Sequence, residues 1–315
     1  MARRDPQAGS LFLVDAAYAP STNKKYLGAV SDFDKWLSSH YNDIYLPEEF
    51  DRVLTIYLHH LHKTNRGKGQ ASNTVYGILS LVPHLKPHLL LAQLSLRGWN
   101  KLAPARSYPP LTLELTFTIA LNLVIHNQLR AAIATLLAFD CFLRISEFLD
   151  LRRCDIADVR DSRVSSTAAS MTVRLRKTKT GRNQWVVVRN PIVLHLIRTI
   201  IAPLRPSSQQ LLFPYSTDQY RRLFKDACAR LQLSTEYVPH SLRHGGATHC
   251  FVQGMPMEDV LTRGRWASSK SARRYIQTGR ALLLNMHVPD CLLPLPTQDD
   301  FLSYLKSALL RSSHT

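Results

Sequence analysis

Arg144, Lys179, His240, Arg243, Trp266 and Tyr275 come from four short stretches of the chain. Together they are the residue types that transfer of a phosphodiester to a tyrosine needs without a metal. The pentavalent transition state concentrates negative charge on the non-bridging oxygens. An arginine answers this with a planar fork of donors that stays charged. Arg144 and Arg243, from separate segments, can grip opposite sides of one phosphate. A tyrosine hydroxyl, with a pKa near ~10, must be helped to lose its proton. A histidine can act as base or as a phosphate donor, a lysine can protonate the leaving oxygen, and an indole N–H can give one more hydrogen bond. Singly these residues say little. His-x-x-Arg arises by chance, a helical tyrosine is ordinarily amphipathic surface, and a tryptophan is ordinarily core.

The background they sit in favours a polyanion partner. Lys and Arg total 40 against 23 Asp and Glu, for a net charge of +17. Such an excess suits nucleic acid first and an acidic membrane surface second. The 315 residues are enough for two domains, and 45% hydrophobic with 20% charged residues reads as globular and soluble. Cys141, Cys154, Cys228, Cys250 and Cys291 are scattered and form no C-x-x-C pair, which fits a reducing compartment. His240, His244 and Cys250 lack a second ligand cluster, so neither a metal nor any other cofactor is expected. The longest apolar run, 131–139, is far short of the roughly 18–20 residues of a membrane span. Asp15 interrupts the apolar stretch at 11–14, which argues against a signal peptide. An intracellular location follows: the nucleus in a eukaryote, the cytoplasm otherwise.

Helical periodicity must position these groups. Tyr26, Val30, Phe33 and Leu37 share a helix face, as do Val53, Leu54, Tyr57, Leu58 and Leu61. Further helices are expected over about 72–82 and 89–96. A stretch rich in proline and charge, 98–110, reads as a linker, with a boundary near 105. Helices resume at 113–129 and 131–143. The period then changes: Met171, Val173 and Leu175 alternate with polar residues, a polar turn covers 177–184, and Trp185 to Val188 follow, predicting a β-hairpin with a basic tip. Helices are expected again at 192–201, 219–231, 241–253, 257–262 and 269–278, the last carrying Tyr275. A tail helix over 299–310 places Phe301, Tyr304, Leu305, Ala308 and Leu309 on one face. It can dock into a neighbouring protomer or pack on its own domain.

In order and spacing the chain resembles the tyrosine recombinases, the family of lambda integrase and Cre. "FLRISEFLDLRRCDI" resembles the first box, which implies Arg144 as first catalytic arginine and Glu147 as the acid that orients the site. "KTKTGRN" resembles the catalytic hairpin, where Lys179 best matches the lysine and Lys177 is the alternative. "PHSLRHGGATH" gives His240 and Arg243. "GRWASSKSARRYI" gives Trp266, where many members carry histidine, and Tyr275, nine residues further on at the family spacing. The wording "LRHGGATH" and "GRWASSKSARRYIQ" is similar to recombinases of eukaryotic DIRS and Crypton elements.

The resemblance implies a mainly α fold with a small antiparallel β-sheet, built as a two-domain clamp. Residues 1–105 would be a helical core-binding domain with its linker, 106–290 the catalytic domain and 291–315 a tail for protomer exchange. It implies double-stranded DNA as partner, a homo-tetramer on paired sites, a 3′-phosphotyrosyl intermediate and no cofactor. Lys24, Lys25, Arg66, Lys68, Arg97 and Lys101 are candidate backbone contacts of the first domain, which hold register rather than read sequence. Two alternatives stay open. A type IB topoisomerase uses nearly the same chemistry to relax DNA, and a domesticated element protein would bind DNA without cutting it.

Overall fold

Two of the first helices, α1 (Pro20–His40) and α2 (Pro47–Lys63), begin on a proline, whose missing N–H costs nothing in a first turn. A computed structural model of the chain describes residues 17–41, 46–104, 107–158, 161, 170–178, 181–278, 289, 292, 297 and 299–304. Contacts divide the chain into two units, Met1–Arg106 and Ser107–Thr315. In the first unit α1 and α2 are joined by α3 (Lys68–Leu81) and α4 (Leu90–Leu102) around a core that includes Phe33, Leu54, Tyr57, Val75 and Leu96.

The helix expected at 89–96 continues to Leu102, so residues 98–102 are helix and not linker. Trp99 packs on the core and holds the extra turn in place. The start of α4 has no capping side chain of its own. Asp51 of α2, buried beneath it, accepts hydrogen bonds from the Leu91 and Ala92 N–H groups at 2.8 and 2.9 Å. A carboxylate there meets both the free N–H groups and the positive end of the helix.

The second unit is built on α5 (Leu113–Ile125) and α6 (Leu129–Asp140). Asn127, at φ 59°, turns the chain between them, so the helix expected at 113–129 stops four residues early. In α6 every residue from Ala131 to Phe139 is buried, as befits a central helix apolar on all sides. A short helix, α7 (Ile145–Leu149), leads to a three-stranded antiparallel sheet of β1 (Ile156–Ala157), β2 (Thr172–Thr178) and β3 (Gly181–Val187), in that order.

The β2–β3 ladder pairs Val173 with Val186, Lys177 with Arg182 and Thr178 with Gly181. Residues 177–178 and 181–184, expected in the turn, are therefore strand. The Thr178 hydroxyl bonds the Gly181 carbonyl and the Gln184 side chain and carries the pairing to the tip. Val173 and Leu175 face the core, while Arg174 and Arg176 both bond the buried Asp155 carboxylate.

The remaining helices are α8 (Pro191–Ile201), α9 (Thr217–Arg230), α10 (Pro239–Val252), α11 (Met257–Gly264) and α12 (Ser269–Arg273). Phe301 of the tail is buried in the unit's own core, its ring 5.3 Å from that of Phe117. Leu305, Ala308 and Leu309 lie outside the described residues. No helix among the described residues is long and apolar enough to cross a membrane.

Removing the Asp51 cap leaves two N–H groups without their acceptor. Asp51→Ala is expected to cost about 1–3 kcal/mol. Urea unfolding followed by circular dichroism measures it, and an unchanged midpoint would refute the capping role.

Candidate active site

The site begins where α6 ends. Phe142 adopts a left-handed conformation, φ 50°, and the Leu143 N–H closes back on the Ala138 carbonyl at 2.9 Å. This turn aims the Phe142 carbonyl inward and starts α7 with Arg144 as its N-cap. Glu147, one turn later, accepts from the Arg144 backbone N–H at 2.9 Å and from its guanidinium at 2.6 Å. The acid that caps the helix thus also fixes the arginine that precedes it.

Helix α10 supplies the next two groups. It lies close against α6 because Gly245 and Gly246 meet the Leu111 and Phe139 carbonyls, where any Cβ would collide. The approach drives Arg243 into the interior, where it is fully buried. Its Nη1 donates to the Phe142 carbonyl and its Nη2 to the Gly264 carbonyl, the latter at 2.6 Å. Trp266 folds back over Gly264 so tightly that a side chain there would overlap the indole. The indole stacks on Phe142 at 6.2 Å and lies beneath the Arg243 guanidinium at 4.6 Å. Its Nε1, like the Arg243 Nε, is buried and has no acceptor among the described residues.

Tyr275 completes the group. Its ring is 4.7 Å from Trp266, 5.5 Å from His240 and 4.6 Å from His244, and the Arg243 guanidinium carbon is 5.2 Å from its centre. It does not stand on the helix expected over 269–278, because α12 ends at Arg273. The backbone beyond is claimed by α10. The buried Thr248 hydroxyl donates to the Tyr275 carbonyl and accepts from the Gln277 N–H, both at 3.1 Å. The Gln277 side chain in turn lies 3.0 Å from His244 Nδ1 and 2.6 Å from the Ser107 hydroxyl.

Charge in this cluster is unbalanced. Arg144, Arg243 and Arg265 gather around one carboxylate, Glu147, so the site is ready for an anion. Burial, then Arg144 and Arg265, pull the Arg243 pKa to about 9, which still leaves it charged at neutral pH. Burial, then Arg243 and Arg144, hold His240 down to about 4, so its imidazole is neutral at pH 7.

Arg144, Glu147, His240, Arg243, Trp266 and Tyr275 are therefore brought together. Lys179 lies outside the described residues. Lys177 is exposed on β2 opposite Arg182. Lys24, Lys25, Arg66, Arg97 and Lys101 are exposed on the first unit, whereas the Lys68 ammonium donates to the Ala103 carbonyl. Among the described residues no group of three or more His, Cys, Asp and Glu is placed to hold a metal. Sequence reasoning missed Arg265, Thr248 and Gln277. Arg265 lies in "GRWASSKSARRYI", but nothing in that motif shows it turning back to Glu147, and the two hydrogen-bonding side chains act through backbone that only the fold brings near.

A sequence profile of the phage integrase family matches residues 119–280. No curated protein sequence matches the chain. Among solved structures, the fold is similar to that of a lambda integrase dimer bound to a COC′ core site, at TM-score 0.61 and 13% identity over 84% of this chain and 92% of that one. It is similar to the Tn1549 transposon integrase in complex with transposon right end DNA, at TM-score 0.58 and 11% identity over 84% and 99%. It is also similar to the XerH site-specific recombinase bound to a palindromic difH substrate, at TM-score 0.55 and 15% identity over 84% and 78%.

The depressed His240 pKa gives a test on the protein alone. Its imidazole is expected to stay neutral as the pH falls through the ordinary value of about 6.5, and to charge only near 4. The unfolded chain then binds the proton first, so this group makes stability fall as the pH drops from about 6.5 towards 4. An NMR titration showing a His240 midpoint at 6.5 would contradict the buried, arginine-flanked setting.

Proposed function

The chain belongs to the phage integrase family, and from the site just described we propose how this tyrosine recombinase breaks and rejoins DNA. The observation that carries the reading is the buried cluster of three guanidinium groups against one carboxylate, with the Tyr275 ring set against it. The Tyr275 oxygen attacks the scissile phosphorus. The bond to the 5′ oxygen breaks, and a 3′-phosphotyrosyl link forms. Arg144 and Arg243 stabilise the charge that develops on the phosphate, and the Trp266 N–H adds a donor. His240 takes the tyrosine proton once the bound phosphate anion offsets the charge of Arg144 and Arg243. Lys179 protonates the leaving 5′ oxygen. Lys177 is the alternative acid. The phosphotyrosine conserves the bond energy, and a 5′ hydroxyl from a second strand reverses the step.

Site-specific exchange between two duplexes needs four such sites, so the proposal includes a homo-tetramer on paired double-stranded DNA sites. The exposed Lys24, Lys25, Arg66, Arg97 and Lys101 would contact phosphates from the first unit, making affinity fall with salt. Assignment to a mobile element of the DIRS or Crypton type rests on local wording alone. Action in the nucleus of a eukaryote, or otherwise in the cytoplasm, follows from the DNA substrate.

Tyr275→Phe is expected to bind DNA as the unaltered protein does and to form no covalent adduct. An adduct persisting in denaturing gels would identify another nucleophile. Lys179→Ala is expected to cleave slowly, by roughly a hundredfold or more, and to recover on a substrate whose 5′ bridging oxygen is replaced by sulfur. Equal loss on both substrates would remove Lys179 from the acid role.

A further inference from the structure

Arg265 stands in an unfavourable place for its size. It ends α11 in the left-handed conformation, φ 55° and ψ 44°, which glycine adopts far more readily. Its side chain is nonetheless 5% exposed and turned into the site. Nη2 donates to Glu147 Oε2 at 2.9 Å and to the Phe142 carbonyl at 3.2 Å. Nη1 donates to the Arg263 carbonyl at 3.1 Å and to the Cys141 carbonyl at 3.4 Å.

Two of these acceptors already have a function. Glu147 holds the Arg144 guanidinium, and the Phe142 carbonyl holds that of Arg243. Arg265 is thus hydrogen-bonded to the anchors of both phosphate-gripping arginines at once. It comes from the same turn that sets Trp266, whose backbone N–H donates to the Leu261 carbonyl at 3.0 Å.

We infer that Arg265 is a positioning residue that fixes Arg144 and Arg243 relative to each other, by locking Glu147 and the Phe142 carbonyl in one arrangement. This rests on the strand-transfer reading for its catalytic consequence but not for its geometry. Sharing the single carboxylate with Arg265 keeps Glu147 from collapsing wholly onto Arg144. The Arg144 donors not used by Glu147 then stay directed at the phosphate. A lysine could keep the charge but not the fork that spans both anchors.

Arg265→Gly tests this, because glycine suits the backbone there. The expected result is a folded protein with a lowered melting temperature, since Glu147 and three carbonyls lose a donor, DNA affinity within about threefold, and Tyr275 adduct formation slowed about tenfold or more. Arg265→Lys should recover part of the rate. Combining Arg265→Gly with Glu147→Gln should slow the reaction no further than the slower single change. A wild-type rate in Arg265→Gly, or losses that multiply in the double variant, would overturn the inference. The geometry can be read without substrate: a crystal structure of Arg265→Gly in which Glu147 and the Arg144 and Arg243 guanidinium groups keep their places would overturn it as well. If the unaltered protein made no adduct, the strand-transfer reading would fail, while that crystal structure would still decide the positioning role.

Discussion

A buried guanidinium suspended between two helix ends sets the geometry of the whole site. Arg243 has no exposure to water, and a charge so placed must find partners in the protein. It finds them in the Phe142 carbonyl just beyond α6 and the Gly264 carbonyl at the last residue of α11. Both are at the negative ends of helices, where unpaired carbonyls accumulate. Neighbouring arginines repeat the device. Arg263 takes the Asp140 carbonyl and side chain, and Arg265 takes the Cys141 and Phe142 carbonyls. The C-terminus of α6 is thereby the common anchor for three arginines from two other helices.

That arrangement explains why the chemistry can be cationic without being loose. A lysine-rich surface attracts DNA through flexible side chains, each of which loses freedom on binding. Here the guanidinium groups are held in place before any substrate arrives, by backbone that belongs to the core. The same packing depresses His240: burial first, then the fields of Arg243 and Arg144, keep a neutral imidazole beside the tyrosine. Preorganised charge and a tuned histidine have one physical origin.

Much of this was legible in the sequence and some of it was not. The resemblance to the family's boxes picked out Arg144, Glu147, His240, Arg243, Trp266 and Tyr275, which the fold brings together, while Lys179 lies outside the described residues. Helices with an apolar stripe, such as α2, showed in their periodicity. The reading failed where tertiary contacts override local preference. Nothing within residues 269–278 announces that Thr248, on another helix, will claim the backbone around Tyr275. Gly98 reads as the start of a linker, yet the packing of the half-buried Trp99 on the core carries α4 past it. Arg265 was hidden because a charged residue in a left-handed turn runs against expectation, and its pairing with Glu147 spans 118 positions of sequence. The β-ladder outran the expected turn because Thr178 prolongs it.

The way Tyr275 is held has a consequence for how the reaction rate can be tuned. A residue in mid-helix moves only when the helix moves, and its reach is tied to the stability of the core. Tyr275 is instead moored beyond α12, with its carbonyl and the N–H two residues on meeting at the one hydroxyl of Thr248. In the proposed mechanism, loosening that mooring changes how far the phenol can reach. The segment is held by two kinds of contact, a buried hydroxyl on its backbone and the apolar packing of Tyr275 and Ile276 on Phe142, Ala247 and Val260, and a sequence change can alter one at a time.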